Sequence, residues 1–82
     1  MILVDIEFLA INKKYDFKLD ENTYIVELID QIGNMIITAT EKNYEEKVKD
    51  MLLCECEKHR ILELNQTLKQ CGIKSGSHLV MI

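Results

Sequence analysis

One apolar stripe of helical period most constrains what this chain can fold into. Ile25, Leu28, Ile29, Ile32 and Ile36 recur at three- and four-residue steps, which places them on one face of an α-helix. Such a stripe needs a second layer to cover it, and a sheet face is the natural cover. Asn22 or Thr23 suits the N-cap, because its side-chain oxygen accepts a free amide of the first turn. The acids Asp20 and Glu21 lie near the positive end of the helix dipole. Gly33 weakens the helix by about 1 kcal/mol relative to alanine, so the helix is expected to end near it or to run to about Thr38.

The remaining apolar residues mostly alternate. Ile2, Val4, Ile6, Phe8 and Ala10 share one face by period two, and Leu3, Asp5, Glu7 and Leu9 share the other. After the polar turn Asn12-Lys13-Lys14, Tyr15, Phe17 and Leu19 alternate with Asp16, Lys18 and Asp20. Two alternating runs with a short polar link predict an antiparallel hairpin. Met51 to Glu57 reads as a third strand, with Leu52, Cys54 and Cys56 on one face and Leu53, Glu55 and Glu57 on the other. Within Thr38 to Asp50 a short second helix is favoured over a loop, since long structureless loops are uncommon in small domains.

Ile61 to Ile82 closes the chain. Ile61-Leu62-Glu63-Leu64 is a short strand end, and Leu68 to Ile73 is one helical turn closed by Gly72. Lys74-Ser75-Gly76-Ser77 is a turn, and His78 to Ile82 is a final apolar strand. That strand must pair with earlier ones, or its backbone groups stay unsatisfied. The order is strand, strand, helix, strand, short strand, helical turn, strand. It predicts an α+β fold, with a mixed sheet packed on one main helix.

The 82 residues bound the rest. They suffice for one domain, residues 1–82, with no room for two cores. The net charge of −4 argues against a nucleic-acid partner, which needs a basic face to neutralise phosphates. No apolar run approaches the roughly 20 residues of a membrane span, so direct membrane insertion is not expected. Met1-Ile2-Leu3-Val4-Asp5 lacks the basic n-region of a signal peptide. Three cysteines without framework spacing fit a reducing cytosol.

The order of elements resembles the ubiquitin-like β-grasp fold. Thr67-Leu68, then Gly72-Ile73-Lys74, then Leu79-Val80-Met81 reproduce the spacing of ubiquitin's last core residues. By that resemblance Leu62, Leu68, Ile73, Leu79 and Met81 are core. Within the superfamily the chain is similar to the bacterial YukD-like proteins at Val4-Asp5-Ile6, Tyr15-Asp16-Phe17-Lys18-Leu19 and Leu68 to Gly76. That resemblance implies a cytoplasmic accessory of Gram-positive type VII secretion, recruited to the membrane by the cytosolic domain of a secretion component. A ubiquitin-like adaptor in another bacterial complex is the alternative. Ubiquitin's conjugation needs a tail ending in two glycines; a chain ending at Met81-Ile82 has none, and a longer C-terminus would revive a sulfur-carrier or modifier role.

No catalytic constellation stands out, so a non-catalytic binding module without a cofactor is expected. Cys54, Cys56, Cys71, His59 and His78 are the soft-ligand set. No pair of CxxC knuckles supports a metal site, and Cys54 and Cys56 read as small core residues. The candidate protein-binding residues are Leu53, Val80 and Ile82. With Leu79 and Met81 facing the helix, Val80 and Ile82 face away, and Leu53 is expected to join them on the neighbouring strand. In ubiquitin the corresponding face is the main apolar docking patch. Leu3 and Leu9 would widen it, and a dimer through it is open. Asp5, Glu7, Glu55 and Glu57 fall on outward faces, either rimming the patch and selecting a basic partner or guarding sheet edges.

Overall fold

The structure is a computed structural model that describes residues 1–40 and 51–82, with side chains for 1–36 and 51–82. Strand β1 (Ile2–Phe8) pairs antiparallel with β2 (Lys13–Leu19), with Ile2 opposite Leu19 and Phe8 opposite Lys13. Helix α1 (Ile25–Thr40) follows, then β3 (Leu53–Glu55), β4 (Arg60–Ile61) and β5 (His78–Met81). The sheet order is β2-β1-β5-β3-β4. Strand β5 lies parallel to β1 and antiparallel to β3, so the last strand is wedged into the centre of a mixed sheet. This is the ubiquitin-like β-grasp. The second helix expected within 38–50 lies, beyond Thr40, outside the described residues.

The period-two and helical patterns meet in one core. Val4, Ile6 and Phe8 on β1, Phe17 and Leu19 on β2, and Leu79 and Met81 on β5 are buried. So are Ile25, Leu28, Ile29, Ile32 and Ile36 on the facing side of α1. Each such side chain contributes roughly 1.5–3 kcal/mol by leaving water. Phe8 meets Tyr15 and Phe17 edge-on, with ring centroids 6.0 and 5.9 Å apart, the geometry that ring quadrupoles prefer. The helix runs through Gly33 to Thr40, because burial of its stripe outweighs the small glycine penalty.

The N-cap differs from expectation. Helix α1 begins at Ile25, after Asn22 and Thr23. Its first amides are satisfied from across the fold: Ile25 donates to the Gln66 carbonyl at 2.8 Å and Val26 to that of Leu64 at 3.1 Å. Backbone from the 64–66 loop thus replaces a capping side chain. Asp20 instead accepts the Asn22 amide at 2.9 Å, closing the turn before the helix.

The helical turn at Leu68 is as the sequence suggests. The Gln70 amide donates to Thr67 Oγ1 at 3.1 Å and the Thr67 amide to Gln70 Oε1 at 2.9 Å, a reciprocal capping box. At its other end Gly72 takes a φ of 77°. Ile73 donates to Leu68 O at 2.9 Å and Gly72 to Lys69 O at 3.1 Å, a Schellman closure. Leu68 and Ile73 are both buried. The next turn carries Gly76 at a φ of 91° and ties to β1 through Gly76 N–H to Leu3 O at 2.8 Å.

Candidate functional site

The face of the sheet turned away from α1 is where the sequence placed its binding residues. Strand β5 sets its centre. Leu79 and Met81 are buried, so Val80 projects outward, partly buried, and Ile82 is exposed. The Ile82 amide donates to Leu52 O at 3.0 Å and the Leu52 amide to Ile82 O at 2.7 Å, which extends the ladder beyond the named strands.

Leu53 is a correction. It lies opposite Met81, is 0% exposed and belongs to the core. The register of β3 on β5 decides this: Leu53 pairs with Met81 and Glu55 with Leu79, both inward positions, while Cys54 pairs with outward Val80. A one-residue change of parity exchanges every side chain between faces. Cys54 and Cys56 are therefore partly exposed outward residues, not core, and Cys71 alone of the three is buried.

Glu55, expected outside, is on the core side at 5% exposure. It is tolerated there because its cross-strand partner is Arg60, whose Nε donates to Glu55 Oε1 at 2.8 Å. A buried carboxylate otherwise meets a large desolvation cost. The same guanidinium donates to the Cys71 carbonyl. The Cys71 thiol in turn reaches Gln66 Oε1 at 3.3 Å.

Cross-strand pairing builds the outward face row by row. One row runs Lys14, Glu7, Val80, Cys54, Ile61 across all five strands. Its β3–β4 half is apolar, with Ile61 56% exposed. Ile82, Leu52 and Leu9 continue it below. A shallow concavity of about 370 Å³ opens here, lined by Cys54, Cys56, His59, Ile61 and Val80 among others. The row above is polar: Asp16 faces Asp5, and Asp5 faces His78. His78 Nδ1 lies 2.6 Å from both Asp5 oxygens. Leu3 and Leu9 are exposed on β1 and just past it.

The electrostatics of the face are acidic. Burial raises the Cys54 thiol pKa, and Cys56 beside it raises it further. Burial likewise raises that of Cys56, followed by the charges of Glu57, Asp5 and Glu7, with Lys14 opposing. Both thiols are thus held protonated and poorly nucleophilic. Glu57 is shifted below its ordinary range because its own backbone amide and that of His78 donate to it, the latter at 3.1 Å. Among the described residues, no group of three or more His, Cys, Asp and Glu is placed to hold a metal ion. Among them, no helix is long and apolar enough to cross a membrane.

Sequence reasoning missed Cys54 and Ile61 as members of the face. The signal was there in Arg60: a guanidinium following a short turn, within cross-strand reach of Glu55, marks that acid as paired rather than solvated.

The architecture is that of the ubiquitin-like β-grasp fold. No protein-family model and no curated protein matches the sequence, whereas many solved structures share the fold. An N-terminal ubiquitin-like domain solved in solution superposes with a TM-score of 0.74 at 22% identity, covering 99% of this chain and 72% of that one. Ubiquitin from Caldiarchaeum subterraneum gives 0.71 at 17% identity, covering 99% and 90%. ATBAG1, solved in complex with HSP70, gives 0.70 at 22% identity, and this chain covers 40% of that one.

Proposed function

We propose that this chain is a protein-docking module that works through the outward face of its sheet, with Val80, Ile82, Cys54 and Ile61 as contact residues. The observation that carries this reading is the row Val80–Cys54–Ile61, an apolar stretch across three strands with a concavity over it. Contiguous exposed apolar surface marks interaction sites. ATBAG1, a longer chain of which part shares this fold, was solved in a complex with HSP70, which fits a docking role. Asp5 orients His78 on the neighbouring row, but the thiols of the face are held protonated and are weak nucleophiles, so binding rather than nucleophilic chemistry is its natural use.

For the setting, the resemblance of the first two strands and the Leu68–Gly76 segment to YukD-like proteins favours a cytoplasmic accessory of a type VII secretion complex. Its partner would be a cytosolic domain of a membrane component, and an adaptor in another bacterial complex is the alternative. Affinity capture from a detergent extract of Gram-positive membranes, read by mass spectrometry, tests both parts. Wild type should retain secretion-complex subunits, and a Val80→Asp, Ile61→Asp variant with an unchanged circular dichroism spectrum should lose them. Equal capture by both refutes the face. Absence of secretion subunits from both refutes the setting.

A further inference from the structure

We infer that the occupant of this face is a basic amphipathic helix: a stripe of bulky apolar side chains flanked by Lys or Arg. The inference rests on the docking reading above and names its partner's chemistry.

The first support is the sheet's own hydrogen bonding. The strands beneath the apolar row are paired on both sides for β1, β5 and β3. The face therefore presents side chains, with its backbone groups already engaged. An extended peptide laid across it would leave its own amides and carbonyls unmatched, and strand addition belongs at sheet edges. A helix arrives with its backbone satisfied and offers only side chains.

The second support is charge. The apolar half of the face lies over β5, β3 and β4, and acids border it toward β1 and β2. Glu7 is opposite Val80, and Asp5 and Asp16 occupy the next row. Glu57 stands at the end of β3, hydrogen-bonded to the His78 amide. The cations of the face are Lys14 beside Glu7, Lys18 farther along β2, and His59 and Arg60 at the β4 end of the concavity, with Arg60 held by Glu55 and His78 held against Asp5, so the unpaired acids gather on the β1–β2 side. After burial, the charges of Glu57, Asp5 and Glu7 raise the Cys56 thiol pKa, with Lys14 opposing, so these acids all lie near the end of β3. A partner with basic flanks meets complementary potential there.

The third support is spacing. Adjacent strands are about 4.8 Å apart, so Cys54 and Glu7 are separated by roughly 10 Å across β5. That is about the diameter of a helix with its side chains. A helix seated over Val80 and Cys54 thus sets its flanking positions against Glu7 on one side.

The test uses two synthetic helical peptides with one leucine stripe, flanked by lysines in one and by glutamates in the other. Each is titrated into the isotopically labelled full chain and followed by amide NMR shifts. The lysine peptide should bind about tenfold more tightly at low salt, as expected for a few exposed ion pairs. The preference should shrink as salt rises. Shifts should centre on Cys54, Val80 and Ile82, and Val80→Asp should abolish binding. A Glu7→Gln, Glu57→Gln variant should keep binding the lysine peptide but lose most of the preference. If the glutamate peptide binds equally well or better at the same amides, the charge assignment is overturned and the docking face stands. If neither peptide shifts these amides, or Val80→Asp changes nothing, both the face and its partner chemistry fall. A concentration-dependent dimer dispersed by Val80→Asp also overturns the inference, because a second copy is then the occupant.

Discussion

Truncating Leu53 and Cys54 separately tests the register on which the docking face depends. Leu53 has no exposed surface and sits opposite Met81, which is equally buried. Leu53→Ala removes apolar atoms from a packed site and leaves a cavity, a change that costs about 3–5 kcal/mol in well-packed cores. A chain of this length has a total stability of about 4–12 kcal/mol, so the loss is a large share of it. With a urea m-value of about 1 kcal/mol/M, the unfolding midpoint should fall by about 3–5 M. Cys54 is partly exposed on the other face, and Cys54→Ala should cost under about 1 kcal/mol. Leu53→Val repeats the comparison at about 1 kcal/mol, should the alanine variant fail to fold. The assay is equilibrium urea unfolding followed by far-ultraviolet circular dichroism. If Cys54→Ala proves the more damaging of the two, β3 carries the opposite parity and the row Val80–Cys54–Ile61 does not exist.

Two further outcomes follow from local geometry. Thr67→Ala removes the oxygen that accepts the Gln70 amide and should lower stability by about 1 kcal/mol. Gly72→Ala should cost about 1–2 kcal/mol from its left-handed φ alone, because no atom lies within 4 Å of the added Cβ; both are read from urea midpoints. The pH dependence has two limbs. The Glu57 pKa is lowered from 4.5 by amide donors, so its contribution is present above that value and lost as pH falls below it. Those of Cys54 and Cys56 are raised from 9.0 by burial, so theirs is present below about 9 and lost as pH rises beyond. Glu57→Gln should flatten the acid limb and, by removing a charge that raises Cys56, weaken the alkaline one as well; Cys54→Ser with Cys56→Ser should flatten the alkaline limb and leave the acid limb unchanged.

What the sequence discloses depends on whether one parity or the other is clearly apolar. In β1, Val4, Ile6 and Phe8 alternate with Asp5 and Glu7, so only one assignment of faces is affordable, and the structure has it. The α1 stripe is similarly unambiguous. The closing segment is legible through Gly72 and Gly76, which mark its two turns and take positive φ; the capping box of Thr67 and Gln70 went unread. Strand β3 is different. Leu52-Leu53-Cys54 is apolar at every position, so alternation carries no information there. Glu55 and Glu57 then suggest a wet face that Arg60 cancels at Glu55. The N-terminus of α1 fails for another reason. Asn22 and Thr23 have the right side chains, but carbonyls some forty residues later take the amides first. Local pattern cannot report a partner brought in by topology.

That same Arg60 links the core to the docking face, and the link can be measured. Strand β4 has only two residues, Arg60 and Ile61, with adjacent side chains pointing to opposite sides. Ile61 belongs to the exposed apolar row; Arg60 reaches under the sheet to Glu55 and Cys71. A strand so short has few ladder bonds of its own, so the ion pair on the inner side holds the hydrophobic residue on the outer side in place. Arg60→Met keeps the apolar stem but leaves Glu55 without its cation. Breaking a buried pair costs about 3–5 kcal/mol, and partial exposure of Arg60 reduces that to about 1–2 kcal/mol here. The loss should appear as local opening. The Leu62 amide, which donates to Leu53 O at 2.8 Å, should exchange with solvent about tenfold faster or more, while β1–β2 amides keep their protection. Affinity for the lysine-flanked helix should fall with it. Unchanged Leu62 exchange would mean that β4 is held by its backbone pairing alone, and then Ile61 owes its position to the sheet and not to the ion pair.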